Sequence, residues 1–272
     1  MKLSKRRAIF LAFCITALCI LLAAALLLHP SSDLPAQPDY SPSIAKAIKF
    51  FEGSREPYAL LFLDVIYRRF GIVEFADALQ RYDQVLSERP VNAPTLSALR
   101  RIADHDNLPT SSDLFTAKMQ GEGNYLTIPA LYCDQLGLPA GYEAMFEEAV
   151  YSGGYLLTHV LLAWIWIQEN GCEVALPDAF IEFMYLSNAA LIDFDPLVYD
   201  IELEAAAFLY LAGQGALVND TFVERVITAQ NADGSWNTPD NPDRWHATVL
   251  GLLLLLHVEF PADSYPPMLV PA

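Results

Sequence analysis

The sequence predicts an all-α chain, and three observations carry that reading. Apolar residues recur at i, i+3 and i+4 through nearly the whole of residues 43–272. No stretch alternates with period two for long, and no NG or DG turn joins β-rich runs. Gly, Pro, Asn and Asp fall between the periodic segments, where helices must stop. The expected helices lie within 43–51, 57–70, 73–86, 93–105, 123–137, 141–151, 154–171, 178–191, 199–213, 220–230 and 244–257.

These segments are of two kinds. Residues 220–230, "DTFVERVITAQ", have a charged face and an apolar face. Segments such as "YLLTHVLLAWIWI", "IELEAAAFLYLAG" and "WHATVLGLLLLL" are apolar nearly all round, so in a globular body they must be buried on every side. Alternation of the two kinds at a spacing of about forty residues predicts stacked helical hairpins with outer and inner helices. About twelve helices would give an α/α toroid of about six hairpins.

Ala8 to Leu28 is apolar except for Thr16, long enough to span a bilayer. Lys2, Lys5, Arg6 and Arg7 precede it, which orients the N-terminus to the cytoplasm and the body outside. A cleaved signal peptide is the rival reading. Ala23 and Ala25 could form its cleavage site, but the apolar run is long for one and continues through Leu28. The expected organisation is a cytoplasmic tail at 1–7, a transmembrane signal anchor at 8–28, a Pro/Ser-rich tether at 29–42 and an extracytoplasmic domain at 43–272. A bacterial inner membrane facing a periplasm suits that plan. With four positive charges in the first seven residues and a formal net charge of −17, residues 29–272 carry −21. So acidic a body repels nucleic acid, and no nucleic-acid partner is expected. The membrane, through the N-terminal helix, and an envelope glycan, lipid or protein are the expected partners.

One stretch has a recognisable form. Gln230, Asp233, Gly234 and Trp236, followed by a polar loop and "WHATVLGLLLLLH", resemble the Q-x-x-D-G-x-W repeat of the terpene cyclase/protein prenyltransferase α/α-toroid superfamily. The resemblance implies a toroid in which the Gln caps a neighbouring helix end and the Trp ring stacks on it. It does not imply an activity. The D-x-D-D motif of the cyclases is missing, since Asp193-Phe194-Asp195-Pro196 ends in Pro, and no D-D-x-x-D motif occurs.

Candidate chemistry gathers at the starts of the all-apolar helices. His159, Glu202 and His246 are the expected polar set at a cavity mouth. Two imidazoles and a carboxylate suit either acid/base catalysis or a metal site, zinc or another transition metal, with one open position. The ordinary alternative for each is a hydrogen-bonded core residue. Asp200 and Glu204 stand beside Glu202, and Asp200, Asp243, Trp245, Tyr155 and Tyr199 are the expected ligand-binding residues around the mouth. Packing between helix ends is the competing role for the aromatics. Asp104, His105 and Asp106, and the loop acids Asp193 and Asp195, read as solvated turns rather than sites. Cys133 and Cys172 fall near the ends of successive inner helices, so an oxidising compartment would let them pair; two buried thiols are the alternative. No P-loop, G-x-S-x-G or G-x-G-x-x-G occurs. Two function classes follow: a binding or scaffold module for an envelope ligand, towards which the missing catalytic motifs lean, and a metal- or acid/base-dependent hydrolase, lyase or transferase.

Overall fold

In the computed structural model, described over residues 39–88, 94–121, 123–193 and 195–271, every regular element is helical. The described residues form thirteen α-helices: α1 (Ser41–Phe50), α2 (Pro57–Phe70), α3 (Ala78–Glu88), α4 (Pro94–Leu99), α5 (Ser111–Met119), α6 (Asn124–Leu131), α7 (Cys133–Leu136), α8 (Tyr142–Ser152), α9 (Gly154–Glu169), α10 (Asp178–Ala189), α11 (Asp200–Leu211), α12 (Asp220–Ala229) and α13 (Arg244–Glu259). Tyr40–Ala272 form one compact unit. The anchor at 8–28 and most of the tether lie outside the described residues. Within the described residues no helix is long and apolar enough to cross a membrane.

Local chemistry sets the helix ends. Pro57 opens α2 with its φ already helical, and Gly71 closes it in the left-handed conformation (φ 71°), its N–H bonding Tyr67 O. Asn219 caps α12 by accepting from Phe222 N at 2.8 Å. The expected helix at 123–137 breaks in two at Tyr132. That residue is buried and donates its hydroxyl to Ala98 O at 2.7 Å. Pro129, without an N–H, weakens the turn just before the break. Helix α5 was not expected from periodicity. Its stripe is poor, and a Thr110 cap accepting from Asp113 N at 3.1 Å starts it.

Burial alternates along the chain. In α9, α11 and α13 most side chains are buried, whereas α10 buries only Met184 and Asn188, and α12 only Phe222, Val223 and Val226. Helix α9 packs on α6 and α11, α11 on α13, and α13 on both α2 and α1. In α13 every residue from Ala247 to His257 is buried. At about 1.5–3 kcal/mol for each leucine taken from water, this helix is a principal source of core stability.

The Gln230–Trp236 turn fixes the end of the chain onto its beginning. Gln230 Nε2 donates to Ser43 O of α1 at 2.9 Å and to Gly234 O at 3.1 Å. Gly234 (φ 90°) lies so close to α1 that a Cβ would stand 2.1 Å from Lys46 O. Trp236, 1 % exposed, donates its indole N–H to Val226 O at 2.7 Å and lies over Gly251, whose added Cβ would meet the ring at 3.1 Å. Gln230 therefore bonds a carbonyl in the first turns of α1, and the indole lies between α12 and α13.

Cys133 and Cys172 form a disulfide, with Cα atoms 6.2 Å apart. It ties the start of α7 to the chain just past α9. The C-terminal tail seals the same end of α9. Glu169 accepts from Met268 N and Leu269 N, and Trp166 Nε1 reaches Met268 Sδ at 3.3 Å.

Candidate active site

A cavity of about 540 Å³ opens beside the N-terminal ends of α9, α11 and α13. Its wall takes Tyr58, Leu61 and Phe62 from α2, Thr95 and Leu99 from α4, and Asn124 and Thr127 from α6. His159, Leu162 and Trp166 come from α9, Glu204 and Phe208 from α11, and Trp245 and His246 from α13. Mid-helix residues make the apolar part. The first two turns supply the charged and imidazole groups.

The polar centre is built on an i, i+4 pair. Asp200 and Glu204 stand one turn apart on α11 and so share a face. His246 of α13 lies across from both. Its Nδ1 is 2.8 Å from Asp200 Oδ2 and its Nε2 is 3.5 Å from Glu204 Oε2. One ligand atom from each of the three residues lies within 4.8 Å of the others. His159 of α9 approaches the other oxygen of Glu204, with Nδ1 3.5 Å from Oε1 and 2.7 Å from Tyr155 O. Thr158 donates to the same Oε1. The carboxylates are 0 % and 2 % exposed and the imidazoles 21 % and 26 %, so the rings face the opening and the acids stand behind them. Gly123 makes room for His159, since a Cβ there would stand 2.5 Å from the ring.

Asp200 is held from several sides. Tyr155 OH donates to it at 3.0 Å and Asn241 Nδ2 at 2.9 Å. Asp240 caps the start of α11, accepting from Asp200 N at 2.8 Å, and also takes the Tyr155 hydroxyl at 3.3 Å. Burial alone would raise the Asp200 pKa, but the hydrogen bond and charge of His246, with the Asn241 and Tyr155 bonds, bring it below its ordinary value. Burial alone would lower His246; the Asp200 bond and the charges of Glu204, Asp200 and Asp243 raise it instead. Burial, followed by the charges of Asp200 and Asp240, raises the Tyr155 hydroxyl.

Of the sequence-predicted set, His159 and His246 come together at the cavity and Glu202 does not. Glu202 accepts from Tyr199 N at 2.9 Å and Asp193 N at 3.1 Å, and from Arg225 Nη2 at 2.7 Å, on the side of α11 away from the mouth. It is the capping residue of its own helix, and Glu204 takes the place expected for it. Asp243 and Trp245 line the cavity as expected, and Asp200 stands immediately behind it. Tyr155 backs Asp200 rather than lining the wall, and Tyr199 starts α11 outside it. Asp240, Asn241 and Thr158 were not singled out. The first two read as loop punctuation, and the third was hidden in an apolar run.

The other acidic groups are accounted for locally. His105 lies 3.2 Å from Asp134 and 3.3 Å from Asp106 at the surface. Asp193 and Asp195 accept from backbone N–H groups of their own loop. Comparison with family models, curated proteins and solved structures finds no match to this chain.

Proposed function

We propose that the chain is an enzyme of the hydrolase, lyase or transferase kind, working by acid/base chemistry in an α/α toroid that the N-terminal segment holds outside a membrane. The observation that carries this reading is the convergence of Asp200, Glu204, His246 and His159 at the mouth of a 540 Å³ cavity. A binding or scaffold module would require no convergent polar set. For the toroid, the support is that α2, α4, α6, α9, α11 and α13, the second helix of each of six hairpins, all line one cavity. The disulfide supports an oxidising compartment and hence export.

In this reading His246 moves the proton. Asp200 fixes Nδ1 and stabilises the imidazolium, which leaves Nε2 directed towards Glu204 and the opening. The imidazolium protonates a leaving group, and the Glu204 carboxylate takes a proton from the attacking water or from the substrate.

The 3.5 Å separation of His246 Nε2 and Glu204 Oε2 favours a second reading of the same centre. That spacing is long for a charge-assisted hydrogen bond and matches the edge of a coordination tetrahedron with bonds of about 2.0–2.2 Å. The carboxylate on Nδ1 is the outer partner that metal-bound histidines carry. His246 and Glu204 would hold zinc or another transition metal, which would supply a Lewis acid and a bound water of lowered pKa, while the near nitrogen of His159 is taken up by the Tyr155 carbonyl.

A screen of chromogenic esters, phosphoesters, glycosides and peptides tests the proposal. One class should be turned over, falling about 100-fold or more in His246→Gln and Glu204→Gln but not in Glu202→Gln. No turnover across the panel, and none when an acceptor alcohol or amine is added or when uronate-containing glycans are followed for the double bond that elimination forms, would sink the enzyme and return the cavity to the binding class. Elemental analysis of the full chain beside a His159→Ala/His246→Ala double variant separates the two readings. Stoichiometric metal lost in the variant supports the metal centre, and none in either protein leaves proton transfer alone.

A further inference from the structure

The charge of the cavity wall is of one sign. Glu204 and Asp243 line it, Asp200 stands behind, and among the described residues no lysine or arginine reaches the wall. The nearest opposite partners for these acids are the two imidazoles, His246 at 2.8 Å from Asp200 and His159 at 3.5 Å from Glu204. Even with both rings charged, three carboxylates against two imidazoles leave the mouth net negative. The wider body adds a field of the same sign, with −21 over residues 29–272. An anionic substrate group, whether phosphate, diphosphate or uronate, meets repulsion and no lysine or arginine here.

Aromatic rings share the rim with these acids. Tyr58 in the first turn of α2 and Trp245 in the first turn of α13 stack at 6.1 Å with planes 17° apart. Trp245 also meets His246 edge-on at 5.2 Å. Below them the wall turns apolar. From His159 to Trp166 is seven residues of helix, about 10 Å at 1.5 Å per residue. An organic ammonium ion is the group that gains both from carboxylates and from aromatic faces, and it gains most in a partly desolvated site. An ordinary metal cation would have no use for the rings or for the apolar depth.

We propose that the cavity selects an organic cation, an amine or quaternary ammonium carried on an apolar body. Its head lies at the rim among Asp243, Tyr58 and Trp245, in front of the buried Glu204, and its body lies down the wall towards Trp166 and Phe208. This rests on the reading of the cavity as the substrate site and names the class of substrate. Asp243 is the selectivity residue. Its side chain is exposed at the rim and makes no cap bond to α13, so it is free to meet a ligand.

The test uses the full chain and three probes of one shape: benzyltrimethylammonium, its uncharged isostere neopentylbenzene, and benzylsulfonate. Binding is read by calorimetry and by quenching of tryptophan fluorescence. Benzyltrimethylammonium should bind at least ten-fold more tightly than neopentylbenzene, and benzylsulfonate should not bind. Asp243→Asn, which leaves the fold intact, should remove most of the ten-fold preference, whereas His246→Gln should keep it. Equal binding of the cation and its isostere, a preference for the sulfonate, or no binding of the cation would overturn the inference. Lost selectivity with turnover still dependent on His246 removes this inference and leaves the enzyme standing. Selectivity without any turnover that depends on His246 does the reverse.

Discussion

Asp200 concentrates the electrostatics of the centre in one fully buried carboxylate. Its own pKa is lowered and that of His246 is raised, so each stabilises the fold in a different pH window. The Asp200 contribution is present above the ordinary aspartate value of about 3.8 and is lost as pH falls through its lower folded value. The His246 contribution is present below the ordinary histidine value of about 6.5 and is lost as pH rises through its higher folded value. The pair therefore stabilises most between those limits. We expect Asp200→Asn to cost about 3 kcal/mol near pH 6, because it strips an imidazolium of its partner. It should also return the His246 titration to or below the ordinary value. NMR titration of the His246 ring and Tm against pH check this; an unmoved His246 pKa in the variant would refute the account. The same helix shows where sequence reasoning stopped. Both imidazoles were legible because a histidine in an apolar run is conspicuous. The carboxylate was misplaced by two residues because Glu202 and Glu204 stand about 200° apart on a helix, and only packing decides which side faces the cavity. Glu202 in fact serves Arg225 and its own helix start.

The turn between α12 and α13 is the element that joins the two ends of the described chain. Gln230, Gly234 and Trp236 were legible as a unit because each meets a backbone requirement: a donor for carbonyls, a positive φ and an indole that fits over a glycine. Their partners were not legible. Ser43 and Lys46 lie nearly two hundred residues away, and nothing in either stretch announces the other. The long apolar helices were readable throughout from periodicity, whereas α5, started by a cap and not by a stripe, was not. Gly234 carries the sharpest expectation at this scale. Gly234→Ala adds a Cβ 2.1 Å from the Lys46 carbonyl oxygen and strains a φ of 90°. Neither fault can be relieved without pulling the turn off α1, so the cost should reach at least ~3 kcal/mol. Gly53→Ala is the control: φ is 68° but nothing lies within 4 Å, so only the backbone term of about 1 kcal/mol applies. Urea denaturation of both variants measures the difference, and equal losses would show that the contact with α1 carries no weight.

At the scale of the molecule, the centre depends on helices brought from distant parts of the chain, and the Cys133–Cys172 bridge ties one of them, α9, to the start of α7 at the end away from the mouth. It closes a span of 39 residues that contains α8 and α9, and α9 carries both His159 and Trp166. Loop-closure entropy for that span gives about 4 kcal/mol as an upper figure, since residual structure in the unfolded chain reduces it. We expect the Cys133→Ser/Cys172→Ser variant to lose about 2–4 kcal/mol and to remain folded with the cavity intact, because α9 keeps its packing on α6 and α11. The bridge also bears on where the body resides. The chain has four cysteines, and the other two, Cys14 and Cys19, belong to the apolar N-terminal run. Protein isolated from its native cells and denatured without reductant should take up two equivalents of iodoacetamide, and four after reduction. Four before reduction would mean that the body matures in a reducing compartment. That result would remove the export reading, and with it the envelope as the source of the cation.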